Sequence, residues 1–340
     1  MSIYSISGNT LNSAFVTLGQ EVDNAYDLLG NVVFSKQSPI DPEIENIVSY
    51  FREPTLSVAQ ELANQSSDWE NIIFITDPHG SGNEQHSQAI ALYLLHNTNC
   101  KMLVLGGDYS VSSWSKTQYD NYMKPFVDSD VISRIYAIMG NHETYGNGTA
   151  QAKQSIYNDF LADKSNIVGV PTENYYYFDD VVGKTRYMFI NTSDTGSAYV
   201  MSDAQITWIS QNVVLPDETW SLCVFGHVTL AKMANVTYSN ESNGSSIISA
   251  INNCNGTIIG YFCGHQHIDY CEKIGAFQHT TFQCDKFENT NYYSGISVTN
   301  RVVGTVSEQA VTVISINKTL RQVLTRRIGA CRTRTMDYSY

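Results

Sequence analysis

From Asn71 onward the chain alternates short, unbroken apolar runs with longer segments whose apolar positions recur every three or four residues. The runs are IIFIT (72–76), MLVLG (102–106), IYAIMG (135–140), YMFIN (187–191), LCVFG (222–226) and IIGYFCG (258–264). Apolar runs of this length, closed by Gly or polar residues, read as strands covered on both faces. Between them, Glu84–His96, Ser115–Asp128 and Asp203–Val213 read as helices. Strand and helix in alternation predict an α/β layer fold with sheet at its centre. Beyond Phe277 the pattern is mostly β, in HTTFQC (279–284), GISVTN (295–300), AVTVISI (310–316) and RQVLTRRI (321–328). Residues 331–340 are polar and read as a loose tail.

The first 70 residues obey other rules. Asp41 caps a helix expected over Asp41–Arg52, with Pro42 in its first turn and Ile44, Ile47, Val48 and Phe51 on one face. Pro54 should stop it, and a second short helix should cover Leu56–Ala63. Ahead of these, Gly8, Gly19 and Gly30 recur at a spacing of eleven, in ISGNTLNSAF, TLGQEVDNAY and LLGNVVF. Self-similarity at a fixed short period reads as small β units that cannot bury a core alone. The expected organisation is a β-repeat segment (1–35), a helical linker (36–69), one large α/β domain (70–330) and the tail.

Charge and cysteine usage narrow the function. Twenty Lys and Arg face 33 Asp and Glu, a net charge of −13, which argues against a protein that holds nucleic acid by neutralising phosphates. No run of 18 apolar residues exists to span a membrane, and the start MSIYSISGNTLNS lacks the basic and apolar blocks of a signal peptide. The seven Cys are scattered without a C-x-x-C pair and read as free, mostly buried thiols.

Candidate chemistry stands directly after the strands. Asp77-Pro78-His79 comes after the first run, Gly107-Asp108 after the second, Gly140-Asn141-His142-Glu143 after the third, His227 after the fifth and Gly264-His265-Gln266-His267 after the sixth. Five of the eight His thus stand at the carboxyl ends of strands, where ligands gather in open α/β sheets. Asp77 and His79, like His265 and His267, are two apart, so in extended backbone both would point to one side. Glycines before Asp108, Asn141, His227 and His265 suit a tight departure from the sheet. A single His at a strand end is more often a hydrogen-bonded structural residue, and Gly-Asp is a common turn. All five in this order, each after an apolar run, are not explained that way.

The set DPH, GGD, GNHE, FGH and GHQH over roughly residues 70–270 resembles the calcineurin-like metallophosphoesterase superfamily. The resemblance implies a two-sheet β-sandwich flanked by helices, with the site at one edge. It implies that Asp77, His79 and His267 hold one metal ion, that Asn141, His227 and His265 hold a second, and that Asp108 bridges them. Such donors suit two divalent or mixed-valence first-row ions (Mn, Fe, Zn, Co or Ni) about 3.5–4 Å apart. The implied reaction is hydrolysis of a small phosphomonoester or phosphodiester by a hydroxide shared between the ions. His142, outside the ligand set, would protonate the leaving group, and Asn141 and His142 would contact the phosphate. Gln205 and Trp208 resemble a Q-x-x-W pair common between the third and fourth motifs of that superfamily.

Departures from subfamily patterns sharpen this. Protein Ser/Thr phosphatases continue the second motif as G-D-x-x-D-R-G, but Asp108 is followed here by Tyr109-Ser110-Val111-Ser112, which argues against that function and leaves open what orients His142. Val111 stands where purple acid phosphatases carry their iron-binding Tyr. The aromatic stretches 174–178 and 291–293 read as sandwich strands with surface hydroxyls, and the basic residues from Lys318 to Arg334 as a solvated hairpin face. The glycine repeat resembles attachment segments of phage tail and virion-associated proteins, which implies a homo-oligomer or docking on a larger assembly through 1–35, and a cytoplasmic or virion-associated location. Two rival functions use the same residues: an attachment protein that keeps the module as a scaffold, and a nuclease-type phosphodiesterase, which the net charge disfavours.

Overall fold

A computed structural model describes residues 42–80, 85–233, 240–287, 301–330 and 337–340. The repeat at 1–35 and the runs at 291–293 and 295–300 lie outside them. Residues 1–46 form a separate unit, of which a 3₁₀ turn at Pro42–Asn46 is described. Residues 47–340 form the second unit, which carries both sheets and the site.

In chain order the strands are β1 (Trp69–Ile75), β2 (Cys100–Leu105), β3 (Ile135–Ala137), β4 (Val168–Val170), β5 (Tyr175–Asp180), β6 (Thr185–Phe189), β7 (Ser221–Phe225), β8 (Thr257–Cys263), β9 (Tyr270–Ile274), β10 (Phe277–Thr281), β11 (Ala310–Asn317), β12 (Gln322–Gly329) and β13 (Asp337–Ser339). The α-helices are α1 (Ser49–Ala63), α2 (Gln85–Asn97), α3 (Lys116–Val127), α4 (Thr149–Ile156), α5 (Asp203–Asn212) and α6 (Gly244–Ile251). They build two sheets, ordered β13-β12-β11-β1-β2-β3 and β4-β5-β6-β7-β8-β10-β9. Each has a parallel centre, β1–β3 in the first and β6, β7, β8 and β10 in the second. Parallel strands need covered faces, which explains the unbroken apolar runs.

An aromatic layer joins the sheets. Phe74 of β1 stacks on Phe225 of β7 at 6.1 Å, and Tyr136 of β3 on Phe178 and Phe189 at 4.7 and 5.2 Å. Outside the second sheet, α5 and α6 bury Ile209, Ile247, Ala250 and Ile251 against Met188, Leu222 and Val224. Register then sets the height of the site. Ile75 pairs with Leu105 and Leu105 with Ala137, while Phe225 pairs with Phe262, so the loops after these strands leave each sheet at one level.

The structure corrects four expectations. Helix α1 runs from Ser49 through Pro54 to Ala63 as one piece. Pro54 leaves the Tyr50 carbonyl without its helical partner, a cost of about 3 kcal/mol. However, Phe51, Pro54, Thr55, Val58 and Leu62 form one buried stripe, and each large apolar side chain there contributes about 1.5–3 kcal/mol. Packing wins, and α1 lies against β12 and α2 in the layer over the first sheet. At the other end, Asp337–Ser339 is no loose tail but pairs antiparallel with Gln322–Leu324. Of the described basic residues before it, three are tied to carboxylates rather than merely solvated: Lys318 pairs with Glu70, Arg326 with Glu61, and buried Arg327 with Asp269. The Tyr176 hydroxyl is not at the surface; it is buried and donates to the Ala137 carbonyl at 3.0 Å. The six described cysteines are free thiols, and no helix among the described residues is long and apolar enough to cross a membrane.

Candidate metal centre

Beyond the strand ends the backbone turns sharply while still hydrogen-bonding sideways. In the first sheet the Asp77 N–H donates to the Gly107 carbonyl and the His79 N–H to that of Asp108, both at 3.0 Å. In the second, the Gly264 N–H donates to the His227 carbonyl at 3.1 Å. Here the structure overturns the extended reading of the two-apart pairs. Asp77, His79, Asp108, His265 and His267 all hold left-handed backbone, with φ of 54, 54, 60, 65 and 55°. Non-glycine residues enter that region at a cost of roughly 1–2 kcal/mol each, and such outliers gather at functional sites. The glycines divide by role. Gly107 supplies a positive φ of 96°, whereas Gly140 is needed for room, because a Cβ there would lie 2.2 Å from the Asp108 carboxylate.

All seven residues that the resemblance names as ligands come together. Asp77, His79 and His267 form one cluster, Asp108, His227 and His265 a second with Asn141 beside it, and His79, Asp108 and His142 a third group that bridges the two. In the first, His79 Nε2 lies 3.1 Å from His267 Nε2, and His267 Nε2 lies 3.2 Å from Asp77 Oδ1. In the second, His227 Nε2 lies 3.2 Å from Asp108 Oδ2 and 3.1 Å from Asn141 Oδ1. Asp108 Oδ2 is also 3.7 Å from His79 Nε2, which places this carboxylate between the clusters. Donor atoms bound to one ion at about 2.1 Å sit roughly 3–3.5 Å from each other, so the spacing fits shared divalent cations. Backbone carbonyls orient two of the imidazoles. His227 Nδ1 is 2.7 Å from the Gly106 carbonyl and His79 Nδ1 3.2 Å from that of Ser110, which leaves both Nε2 atoms for the centre.

Charge is balanced within the cluster. His227, Asp77 and Asp108 are essentially sealed from solvent, and His79, His265 and His267 nearly so. Burial opposes ionisation of Asp77, but the His227 and His267 charges outweigh it and hold its carboxyl below the usual range. Asp108 is held well below that range, where His227 again overcomes burial. Burial likewise opposes charge on His227, yet Asp108 and Asp77 raise it to about 9. For His267, Cys284 and Asp77 outweigh burial and raise it well above an ordinary imidazole. For His79 and His265 burial wins, lowering them to about 4 and about 3.

His142 joins His79 and Asp108 but is the more open of the three. About a quarter of its side chain is exposed, and its Nε2 lies 3.8 Å from Asp108 Oδ2. Its N–H donates to Asp108 Oδ1 at 2.8 Å. Its Nδ1 has no hydrogen-bond partner among the described residues. The ring is instead held edgewise by His79 and Tyr145, at centroid distances of 4.6 and 5.3 Å.

Three supporting groups stood in view in the sequence without the contacts that give them a part in the site. Glu143 is fully buried and accepts from the N–H groups of Asp108, Tyr109 and Gly140 at 2.8–2.9 Å and of Ser110 at 3.3 Å, tying the second and third motifs together. Burial and the Asp108 charge push it up to about 7. Asp194 accepts from the N–H and hydroxyl of Ser202, the cap of α5, and from the Gln205 side chain. Gln205 also brackets the backbone of Asn191 after β6, while Trp208 packs on Tyr175 and Tyr177. The acidic residue beside the GNH motif and the Q-x-x-W spacing were visible, but their partners are remote in sequence.

A two-sheet sandwich with a His/Asp divalent-metal site at the strand ends defines a metallophosphoesterase. Residues 70–269, more than half of the chain, match the calcineurin-like phosphoesterase family. The protein belongs to that family and is a metal-dependent phosphoric ester hydrolase. The match begins at residue 70 and says nothing of the repeat at 1–35. No curated protein sequence matches the chain. Among solved structures it is similar to GAP50, the anchor in the inner membrane complex of Plasmodium, at 10% identity over 80% of this chain and 89% of that one, with a TM-score of 0.49. A predicted phosphoesterase from Streptococcus pneumoniae TIGR4 is 9% identical over 80% and 98% of the two chains, with a TM-score of 0.36. The phosphopantetheinyl hydrolase of Mycobacterium tuberculosis is 11% identical over 64% and 91%, with a TM-score of 0.35. Likenesses this distant carry nothing about substrate, and the family assignment rests on the match over 70–269.

Proposed function

We propose that the protein hydrolyses a small phosphomonoester or phosphodiester at a pair of divalent first-row ions. Asp77, His79 and His267 would hold one ion, Asn141, His227 and His265 the other, with Asp108 between them. The observation that carries this reading is the meeting of two three-residue donor clusters at Asp108. When bound, such ions neutralise phosphate charge and acidify a water at neutral pH. The protein's own groups do the rest. Asp108 fixes His142 through its N–H, while the ring of His142, partly open to solvent, holds the proton for the departing oxygen. Glu143 keeps the two loops at a fixed separation, so that the proton donor and the ligand carboxylate move as one piece.

A small ester is favoured over nucleic acid by the net charge of −13, and activity on it should be nearly independent of salt. The test is hydrolysis of p-nitrophenyl phosphate, bis-p-nitrophenyl phosphate and nucleotides by metal-stripped protein reloaded with Mn, Fe, Co, Ni or Zn. Turnover that appears with metal and vanishes with chelator is the expected result. Metal-loaded protein that cleaves none of these esters would favour the scaffold reading.

A further inference from the structure

The Asn141 side chain does not stand alone. Its Nδ2 donates to the Tyr145 hydroxyl at 3.3 Å, and that oxygen lies 3.2 Å from the Tyr199 hydroxyl. Both rings touch the site, Tyr145 the edge of His142 at 5.3 Å and Tyr199 the ring of His265 at 5.5 Å. The two tyrosines are anchored on opposite sides. The Tyr145 carbonyl accepts from the Trp114 N–H at 3.3 Å, on the loop after β2, whereas the Tyr199 carbonyl accepts from the Ser242 N–H at 2.8 Å, just before α6. Their hydroxyls therefore join segments that follow different sheets.

An amide side chain presents either an oxygen or an NH₂ to what it faces, and only the oxygen binds a cation. With Nδ2 donating to Tyr145, Oδ1 is the atom turned toward His227 Nε2. Tyr145, accepting from Asn141, has its own proton free for Tyr199, so one directed chain runs from the amide to the second hydroxyl. We propose that Tyr145 and Tyr199 are positioning residues that lock the Asn141 carboxamide with its oxygen toward the second cluster. The inference rests on the reading of Asn141 as a ligand under Proposed function; the tyrosines themselves touch no reacting atom.

The test titrates Co²⁺ into the metal-free full chain, followed by calorimetry and by the visible absorption of the bound ion. In Tyr145→Phe the weaker of two Co²⁺ affinities should fall about 10-fold, the low end for losing a group that orients a ligand, with the melting temperature unchanged. Tyr199→Phe should give a smaller loss. The double variant should be no worse than Tyr145→Phe, because both hydroxyls act through one amide. In an Asn141→Ala background Tyr145→Phe should be silent, a dependence that a merely structural tyrosine would not show. Tyr177→Phe, remote from the site, is the control and should bind as wild type. Unchanged Co²⁺ affinity in Tyr145→Phe, or an equal further loss in the Asn141→Ala background, overturns the inference. Should Tyr145→Phe not fold, Tyr199→Phe decides it, wild-type affinity there counting against. A wild-type chain that takes up no Co²⁺ overturns the metal-centre reading itself.

Discussion

The two sheets contribute different chemistry to one centre. The first supplies both carboxylates, the amide and a single imidazole ligand, from Asp77, Asp108, Asn141 and His79 after β1, β2 and β3. The second supplies imidazoles only, His227 after β7 and His265 and His267 after β8. Each cluster straddles the cleft, so neither sheet alone holds a complete donor set. Cross-links reinforce this division: the His265 N–H donates to the Asp77 carboxylate, and His227 Nδ1 lies against the Gly106 carbonyl. The aromatic layer that glues the sheets is therefore also what assembles the site. Hydrophobic docking sets the distance between hard oxygen donors on one side and nitrogen donors on the other.

The comparison breaks most completely at Asp108, the first-sheet residue between both clusters. Asp108→Asn should lower kcat by more than about 10³-fold, beyond the loss of a single electrostatic contact, with circular dichroism unchanged. A variant retaining a tenth of wild-type turnover would contradict its central place. His142→Ala, also from the first sheet but outside the proposed ligand set, should lower kcat on the order of 10²–10⁴-fold while metal content measured by elemental analysis stays at the wild-type level. Equal metal loss in both variants would erase the distinction between ligand and proton donor.

Protonation divides the imidazoles within the second sheet as well as between the sheets. Before loading, His227, raised to about 9, and His267, raised well above its ordinary value, carry protons at pH 7, whereas His79, near 4, and His265, near 3, do not. A divalent ion must displace these protons, so affinity should fall as pH is lowered and loading at pH 7 should release protons. Calorimetry of metal binding in buffers of different ionisation enthalpy should detect roughly two, both from second-sheet imidazoles. Release of none would contradict this assignment. The smallest effect lies in the loop that precedes α6. Burial raises the Glu241 carboxyl to about 8, Asp194 adding to the shift and the Met201 amide opposing it. The folded state thus holds a proton that the unfolded chain releases near the ordinary value of 4.5. Stability from this group is full below about pH 4.5 and is lost as pH rises through about 8. Glu241→Gln should flatten that slope and stabilise the protein at pH 8 on the order of 2 kcal/mol, read from urea unfolding at several pH values.

Much of this was legible in the chain because strands and their exits are local. Unbroken apolar runs announce doubly covered parallel strands, and donor residues directly after five of them announce a site at one sheet edge. The capped helices α3 and α5, with Ser115 and Ser202 as caps, carry equally local signals. Other features were not legible. The spacing of Asp77 and His79 suggested extended backbone, yet both are left-handed, a conformation imposed by the hydrogen bonds of neighbouring loops. Pro54 signalled a stop that the buried stripe of α1 overrode.

What the sequence by itself determined is the alternation of strands and helices and the order in which donors leave the sheets, since both arise from periodicity and turn chemistry over a few residues. Tertiary structure alone decided which donors meet, that Glu143 gathers four amides, that Tyr145 finds Tyr199, and that the far end of the chain adds a strand beside β12. These contacts join residues up to 188 positions apart, as in His79 and His267. No local preference encodes such a pairing; it exists only once burial of the apolar faces has brought the two sheets together.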